Sequence, residues 1–142
     1  MSKTYVSASL RRMVCDRANG CCEYCLIPET LALSSHQVDH IIAEKHRGET
    51  VESNLALSCS VCNKNKGSDI ASIDPETGEV VRLYNPRKDR WADHFRLQTE
   101  SGTIEPLSAI GRVTVCLLRV NRVECLTERK LLSKTRSLTI PN

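Results

Sequence analysis

The chain has 142 residues, 40% hydrophobic and 26% charged, the balance of a folded protein with one core. No apolar run approaches the roughly 18 residues of a membrane span, and no apolar stretch follows the start "MSKTYVSASLRRMVC", so a cytoplasmic, thiol-reducing setting is expected. The net charge of +3 is unevenly spread, with 8 Lys+Arg against 11 Asp+Glu in residues 1–81 and 12 against 6 in residues 82–142. That basic half suits a phosphate-bearing partner. The five aromatic residues, Tyr5, Tyr24, Tyr84, Trp91 and Phe95, are too few for a surface that stacks unpaired bases.

In chain order, "SASLRRMVCDRANG" predicts a helix over about 7–19, capped by Ser7, with Leu10, Met13, Val14 and Arg17 on one face and Gly20 after its end. Two C-x-x-C knuckles follow, Cys22/Cys25 and Cys59/Cys62. A two-residue spacer lets both sulfurs of a tight turn face one ion, so the pair of knuckles reads as a four-cysteine zinc site. A redox pair would need only one knuckle, beside a thioredoxin-like βαβ pattern. Cys15, Cys21, Cys116 and Cys125 have no partner at ligand spacing and are expected in the core, although Cys21 could compete with Cys22.

Residues 26–58, between the knuckles, exceed the spacing of a compact zinc ribbon, so a further unit is built there. "HQVDHII" and "LALS" read as the strands of a hairpin, "EKHRGETVESN" as an irregular loop between them, and the second knuckle with "NKNKGSDIA" as a short helix. "IDPETGEVVRLY" reads as a second hairpin around a D-P-E-T-G turn. In "NPRKDRWADHFRL", Trp91 and Phe95 at i, i+4 predict a helix with Arg87, Lys88 and Arg90 outward. From Ser108 or Ala109 a helical pattern (Ile110, Val113, Leu117, Val120) runs towards the C-terminal end despite Gly111.

Asp39 and His40 end the first strand of the insert, Asn54 opens the second, and Asn63 follows the second knuckle. With C22-x-x-C25, V38-D39-H40-I41-I42, N54-L55-A56-L57 and C59-x-x-C62-N63-x-x-K66-G67, the chain resembles the HNH endonucleases over residues 22–67. The resemblance implies an α+β fold: a ββα-metal core stapled by a four-cysteine zinc, with a second hairpin and flanking helices in one domain of residues 1–142. It implies His40 as general base, Asp39 and Asn63 as ligands of one catalytic Mg²⁺ or Mn²⁺, and Asn54 as the residue that holds the hairpin and orients His40. Lys64 and Lys66, on the helix of Asn63, are then placed to meet phosphate, as Arg87 and Arg90 are farther along.

The residue types suit that chemistry. A phosphodiester repels anionic nucleophiles and has a poor alkoxide leaving group, so its hydrolysis needs a base and a stabiliser of negative charge. An imidazole, with an ordinary pKa of about 6.5, can take a proton from water near neutral pH. A carboxylate and an amide offer hard oxygens for Mg²⁺ or Mn²⁺. Four residues of strand span about 13 Å, so His36 is expected to be structural rather than to share a centre with His40, and His46 and His94 are expected to be solvated or packing residues. Arg47-Gly48 stands where the family often has Gly-Gly, which leaves the path of this loop open.

The function expected is divalent-metal-dependent hydrolysis of DNA, most simply duplex, leaving a 5′-phosphate and a 3′-hydroxyl. The alternatives are a non-catalytic zinc module that binds nucleic acid or a protein partner, and RNA cleavage. Sequence preference, oligomeric state and biological role are not encoded in these motifs.

Overall fold

A computed structural model describes residues 5–141. Helix α1 (Ala8–Arg17) begins where the Ser7 hydroxyl accepts the Leu10 amide at 3.2 Å. This satisfies one of the free amides of the first turn. Its apolar stripe buries Val14, with Leu10 and Met13 beside it, against Leu55 and Leu57. Arg17 closes the packing by donating to the carbonyls of Glu52 at 3.0 Å and Leu55 at 2.7 Å.

Strands β1 (Gln37–His40) and β2 (Leu55–Ser58) form an antiparallel hairpin in which Asp39 faces Ala56 and His40 faces Leu55. Side chains alternate along a strand. Val38, Leu55 and Leu57 therefore take the α1 side, and Gln37 and Asp39 take the other. On that second side lies α2 (Ser60–Lys66), which donates from Asn63 to Gln37 and from Lys66 to Asp39. All four residues of β2 are buried, as a strand covered on both faces must be. The β1–β2–α2 unit has the expected ββα order, and the protein is α+β.

The second hairpin also forms, as β3 (Ala71–Ile73) and β4 (Val80–Arg82) around a turn held by Asp74. Asp74 accepts from the Glu76 amide at 3.1 Å and the Thr77 hydroxyl at 3.0 Å. It also takes a bidentate bond from Arg112, at 3.0 and 2.8 Å, which ties the hairpin to the helix that carries that arginine.

Two expectations are corrected farther along the chain. Trp91 and Phe95 are both buried, with ring centroids 5.5 Å apart, but they do not share a helix. Helix α3 (Trp91–His94) is a single turn, and Phe95 opens strand β5 (Phe95–Gln98), which pairs with β6 (Thr103–Pro106). Gly102 supplies the left-handed turn, φ 77°, that joins them. The i, i+4 spacing of the two rings concealed the two-residue alternation that starts at Phe95.

The final helical pattern is two helices, α4 (Ala109–Leu118) and α5 (Val123–Lys134). They are separated at Arg119, which sits in the left-handed region at φ 54°. The Ser108 hydroxyl caps α4 through the Gly111 amide at 3.0 Å. Gly111 is required inside the helix because a Cβ there would lie 2.2 Å from the His94 carbonyl oxygen. The main core gathers Trp91, Phe95, Ile104, Leu118 and Val120 around the four knuckle cysteines. Of the other cysteines only Cys125 is buried with them; Cys15 and Cys21 are half-buried and Cys116 is exposed. Among the described residues no helix is long and apolar enough to cross a membrane.

Candidate functional site

The sulfurs of Cys22, Cys25, Cys59 and Cys62 all lie within 4.8 Å of one another, and all four residues are buried. The Cys25 and Cys59 sulfurs are 3.7 Å apart. Four Zn–S bonds of about 2.3 Å in a tetrahedron separate their sulfurs by about 3.8 Å, close to the Cys25–Cys59 spacing, so the donor set suits a tetrahedral zinc. Each knuckle turns an amide back on its first sulfur: the Cys25 N–H donates to Cys22 Sγ and the Cys62 N–H to Cys59 Sγ, both at 3.4 Å. Burial drives the Cys22 thiol well above its ordinary range, while hydrogen bonds from Cys22 and the other thiols hold Cys59 far below it. A divalent cation at this centre would displace the thiol protons, so metal binding would release protons. Cys21 is not a member of the cluster.

Glu23, inside the first knuckle, joins this centre to the hairpin. Its backbone N–H donates to the Leu57 carbonyl and its carboxylate accepts the Leu57 N–H, both at 2.8 Å. The knuckle is therefore held to β2, and α2 starts from the other knuckle with Cys59 as its N-cap.

Asp39 is 4% exposed, and its carboxylate is fully engaged. Oδ2 accepts from the Tyr24 hydroxyl at 2.8 Å and faces the Lys66 ammonium at 3.2 Å; Oδ1 lies 3.4 Å from the same ammonium. Lys66 is only 2% exposed, and it also donates to the His40 carbonyl at 3.1 Å. Burial raises the Asp39 carboxyl above the ordinary range against the opposing pull of Lys66 and Tyr24. The expectation that Lys66 meets phosphate is thus corrected: α2 turns it inward, and its charge is matched by Asp39. Tyr24, one of the two residues between Cys22 and Cys25, completes the trio, and nothing in the spacing of the motif pointed to it.

His40 ends β1 with its Nε2 2.8 Å from the Thr50 hydroxyl and 3.9 Å from Glu44 Oε1. Asn54 clamps the intervening loop. Its Oδ1 accepts the Ile42 N–H at 2.9 Å, and its Nδ2 donates to the Ile42 carbonyl at 3.0 Å and the Glu49 carbonyl at 2.9 Å. The loop passes through Arg47, φ 70°, in the conformation a glycine would favour, and then through Gly48. A Cβ on Gly48 would lie 1.6 Å from the Ile42 oxygen and 2.9 Å from Asn54 Nδ2. Only Gly48 lets the loop lie against the start of its own return path, so one glycine of the usual pair is needed for space and the other position tolerates arginine.

Asn63 is half-buried on α2 and donates from its amide to Gln37 Oε1, two residues before Asp39 on the same face of β1. Asp39 and Gln37, the partner of Asn63, thus lie on the face of β1 that α2 covers, while His40 lies on the opposite face of the strand. Lys64 and Arg90 are exposed, as a phosphate contact requires. Arg87 is not: its guanidinium pairs with Glu23 and its side chain is 14% exposed, which corrects its expected outward position. His36 is buried, with Nε2 2.8 Å from the Ile27 carbonyl. His94 packs against Tyr84 and Phe95 and bonds to Ser108, and His46 is exposed.

The model of the HNH endonuclease family matches residues 22–69, which span both knuckles, the hairpin and α2. No curated protein and no solved structure matches the chain.

Proposed function

We propose that this chain, whose residues 22–69 form an HNH endonuclease domain, is a zinc-stapled nuclease that hydrolyses DNA phosphodiesters with a hard divalent cation, leaving a 5′-phosphate and a 3′-hydroxyl. The observation that carries the reading is the arrangement at the end of β1: Asp39 towards α2, His40 next in sequence on the opposite face towards Thr50, and the Asn54 clamp fixing the loop beyond them. Mg²⁺ or Mn²⁺ would supply positive charge for the phosphate and the departing oxygen. The hard oxygens of Asp39 and Asn63 suit such an ion. Zinc is kept to the four cysteines, whose soft sulfurs select it.

In this reading the His40 imidazole takes the proton of the attacking water. The Thr50 hydroxyl restrains the ring, and the three Asn54 hydrogen bonds keep the loop from drawing it away. Lys66 and Tyr24 orient Asp39 by holding its carboxylate. Lys64 and Arg90 offer exposed charge to a duplex backbone.

One observation favours a second reading, a zinc-stabilised module that binds nucleic acid without cutting it: Asp39 is buried and already paired with the Lys66 ammonium. Supercoiled plasmid, linear duplex, single-stranded DNA and RNA, each incubated with zinc-loaded protein in Mg²⁺, Mn²⁺ or excess chelator beside His40→Ala, separate the two. Metal-dependent nicking by wild type that His40→Ala loses supports the nuclease. Retardation of DNA without nicking in either metal supports the module, and equal nicking by both proteins removes His40 from the chemistry.

A further inference from the structure

Helix α5 lies outside the family-matched segment, yet it brings two arginines to the four-cysteine centre. Arg122, its N-cap, directs its guanidinium at three of the four sulfurs: Nη2 is 3.5 Å from Cys59 and 3.8 Å from Cys25, and Nη1 is 3.9 Å from Cys62. This division is complementary to the knuckle amides, which reach Cys22 and Cys59. Cys25 and Cys62, the sulfurs without a knuckle amide, are both among those that Arg122 covers. Every sulfur of the cluster therefore has a donor.

Arg129 is one helical stretch farther along and has no exposed surface. Its guanidinium donates to four neutral acceptors: the carbonyls of Gly102 at 2.6 Å, Cys25 at 2.9 Å and Val120 at 2.8 Å, and Asn121 Oδ1 at 2.8 Å. None of the ion pairs among the described residues includes it. A buried guanidinium stays charged, and burying an uncompensated charge is unfavourable. Its bond to the Cys25 carbonyl places it against the cysteine centre, where Cys125 of the same helix is also buried.

We infer that Arg122 and Arg129 are the counter-charge of the zinc centre, and that the metal is therefore what docks α5 on the HNH domain. Four thiolates around one Zn²⁺ carry a net charge of minus two, and the two guanidiniums oppose it in a low-dielectric core where such attractions are strong, although Arg122 Nε also faces the exposed Glu124 carboxylate at 3.3 Å. Partners behind the ligands set metal affinity. Here they come from a segment about 60 residues beyond the last ligand, so the bound ion reaches the C-terminal part of the fold by electrostatics as well as by packing.

The inference rests on the four cysteines holding zinc, and not on cleavage. The full chain is purified as wild type, Arg122→Met, Arg122→Lys and Arg129→Met. For each, zinc content is measured by elemental analysis, zinc loss by transfer to a chromophoric chelator, and protection of residues 123–134 by hydrogen exchange. Arg122 is partly exposed, so its methionine variant should fold even where the Arg129 variant does not.

The result expected is one zinc per wild-type chain, release from Arg122→Met at least about tenfold faster, a smaller change for Arg122→Lys, and exchange in 123–134 that rises in Arg122→Met and rises further when zinc is withdrawn. A wild-type chain without zinc removes the metal reading and this one with it. A zinc-loaded wild type whose Arg122→Met variant releases metal at the same rate, with unchanged exchange in α5, overturns this inference alone.

Discussion

Replacing Lys66 by methionine keeps most of the length of a buried side chain and removes its charge together with its hydrogen-bond donors. At the 3.2 Å separation from Asp39 Oδ2, the Coulomb attraction lost is about 5 kcal/mol at an effective dielectric constant of about 20. Asp39 can avoid part of that loss by taking up a proton. Protonating a carboxyl of ordinary pKa about 3.9 costs about 4 kcal/mol at pH 7 and about 1.5 kcal/mol at pH 5, at 1.36 kcal/mol per unit. Protonation therefore limits the electrostatic deficit to about 4 kcal/mol at pH 7, and the unpaired His40 carbonyl adds about 1 kcal/mol that does not vary with pH.

The sign follows from proton counting: in the variant the folded state binds a proton that the unfolded state lacks, so stability falls as pH rises between the unfolded and folded pKa values of Asp39. Urea unfolding of zinc-loaded wild type, Lys66→Met and the double variant Asp39→Asn/Lys66→Met at pH 7, 6 and 5 tests this. The single variant should recover about 2.5 kcal/mol relative to wild type between pH 7 and 5, and the double variant should be more stable than the single one at pH 7. A deficit below about 1 kcal/mol at pH 7, or one that is equal at both ends of the range, would refute the buried pair as described.

Asn54→Ala removes three hydrogen bonds from the loop after His40; we expect a loss of about 2–4 kcal/mol in chemical denaturation and slower plasmid nicking by a protein that still folds. Gly48→Ala places a methyl into the Ile42 carbonyl, and the expected outcome is loss of the native melting transition or a drop of at least about 3 kcal/mol. The neighbouring Arg47→Gly should instead gain up to about 1 kcal/mol by relieving a left-handed residue, and a loss of stability would show that the arginine side chain holds the loop. Cys59→Ser removes a candidate zinc ligand and the sulfur that caps α2. Zinc content and near-ultraviolet circular dichroism should both collapse, and a variant that melts like wild type would contradict a structural metal.

The ββα order, the four-cysteine cluster, the second hairpin, the Ser7 cap and the start of α4 near Ser108 were legible in the sequence because each is written in local spacing. A C-x-x-C turn, a strand alternation and a hydroxyl three residues before an amide carry their geometry with them. The β5–β6 hairpin was not legible, since Phe95 satisfies a helical spacing with Trp91 and a strand alternation with Leu97 at once, and pairing with residues 103–106 decided between them. The break at Arg119 was hidden because no glycine or proline marks it. Within the site, adjacent Asp39 and His40 could be read from the motif, but the inward turn of Lys66 and the hydroxyl of Tyr24 depend on how α2 lies across β1. Arg122 and Arg129 were invisible for the same reason: they lie 60 and 104 residues from the cysteines they approach.

Cys59 is at once a candidate metal ligand and the residue from which α2 springs. One atom is thus the pivot between the ion and the helix that carries Asn63 and Lys66. A larger thiophilic ion, by lengthening its bond to this sulfur, would swing the start of α2 away from the strand and move both side chains together. If the proposed hydrolysis takes place at the hairpin, its rate would then report the radius of an ion held away from it.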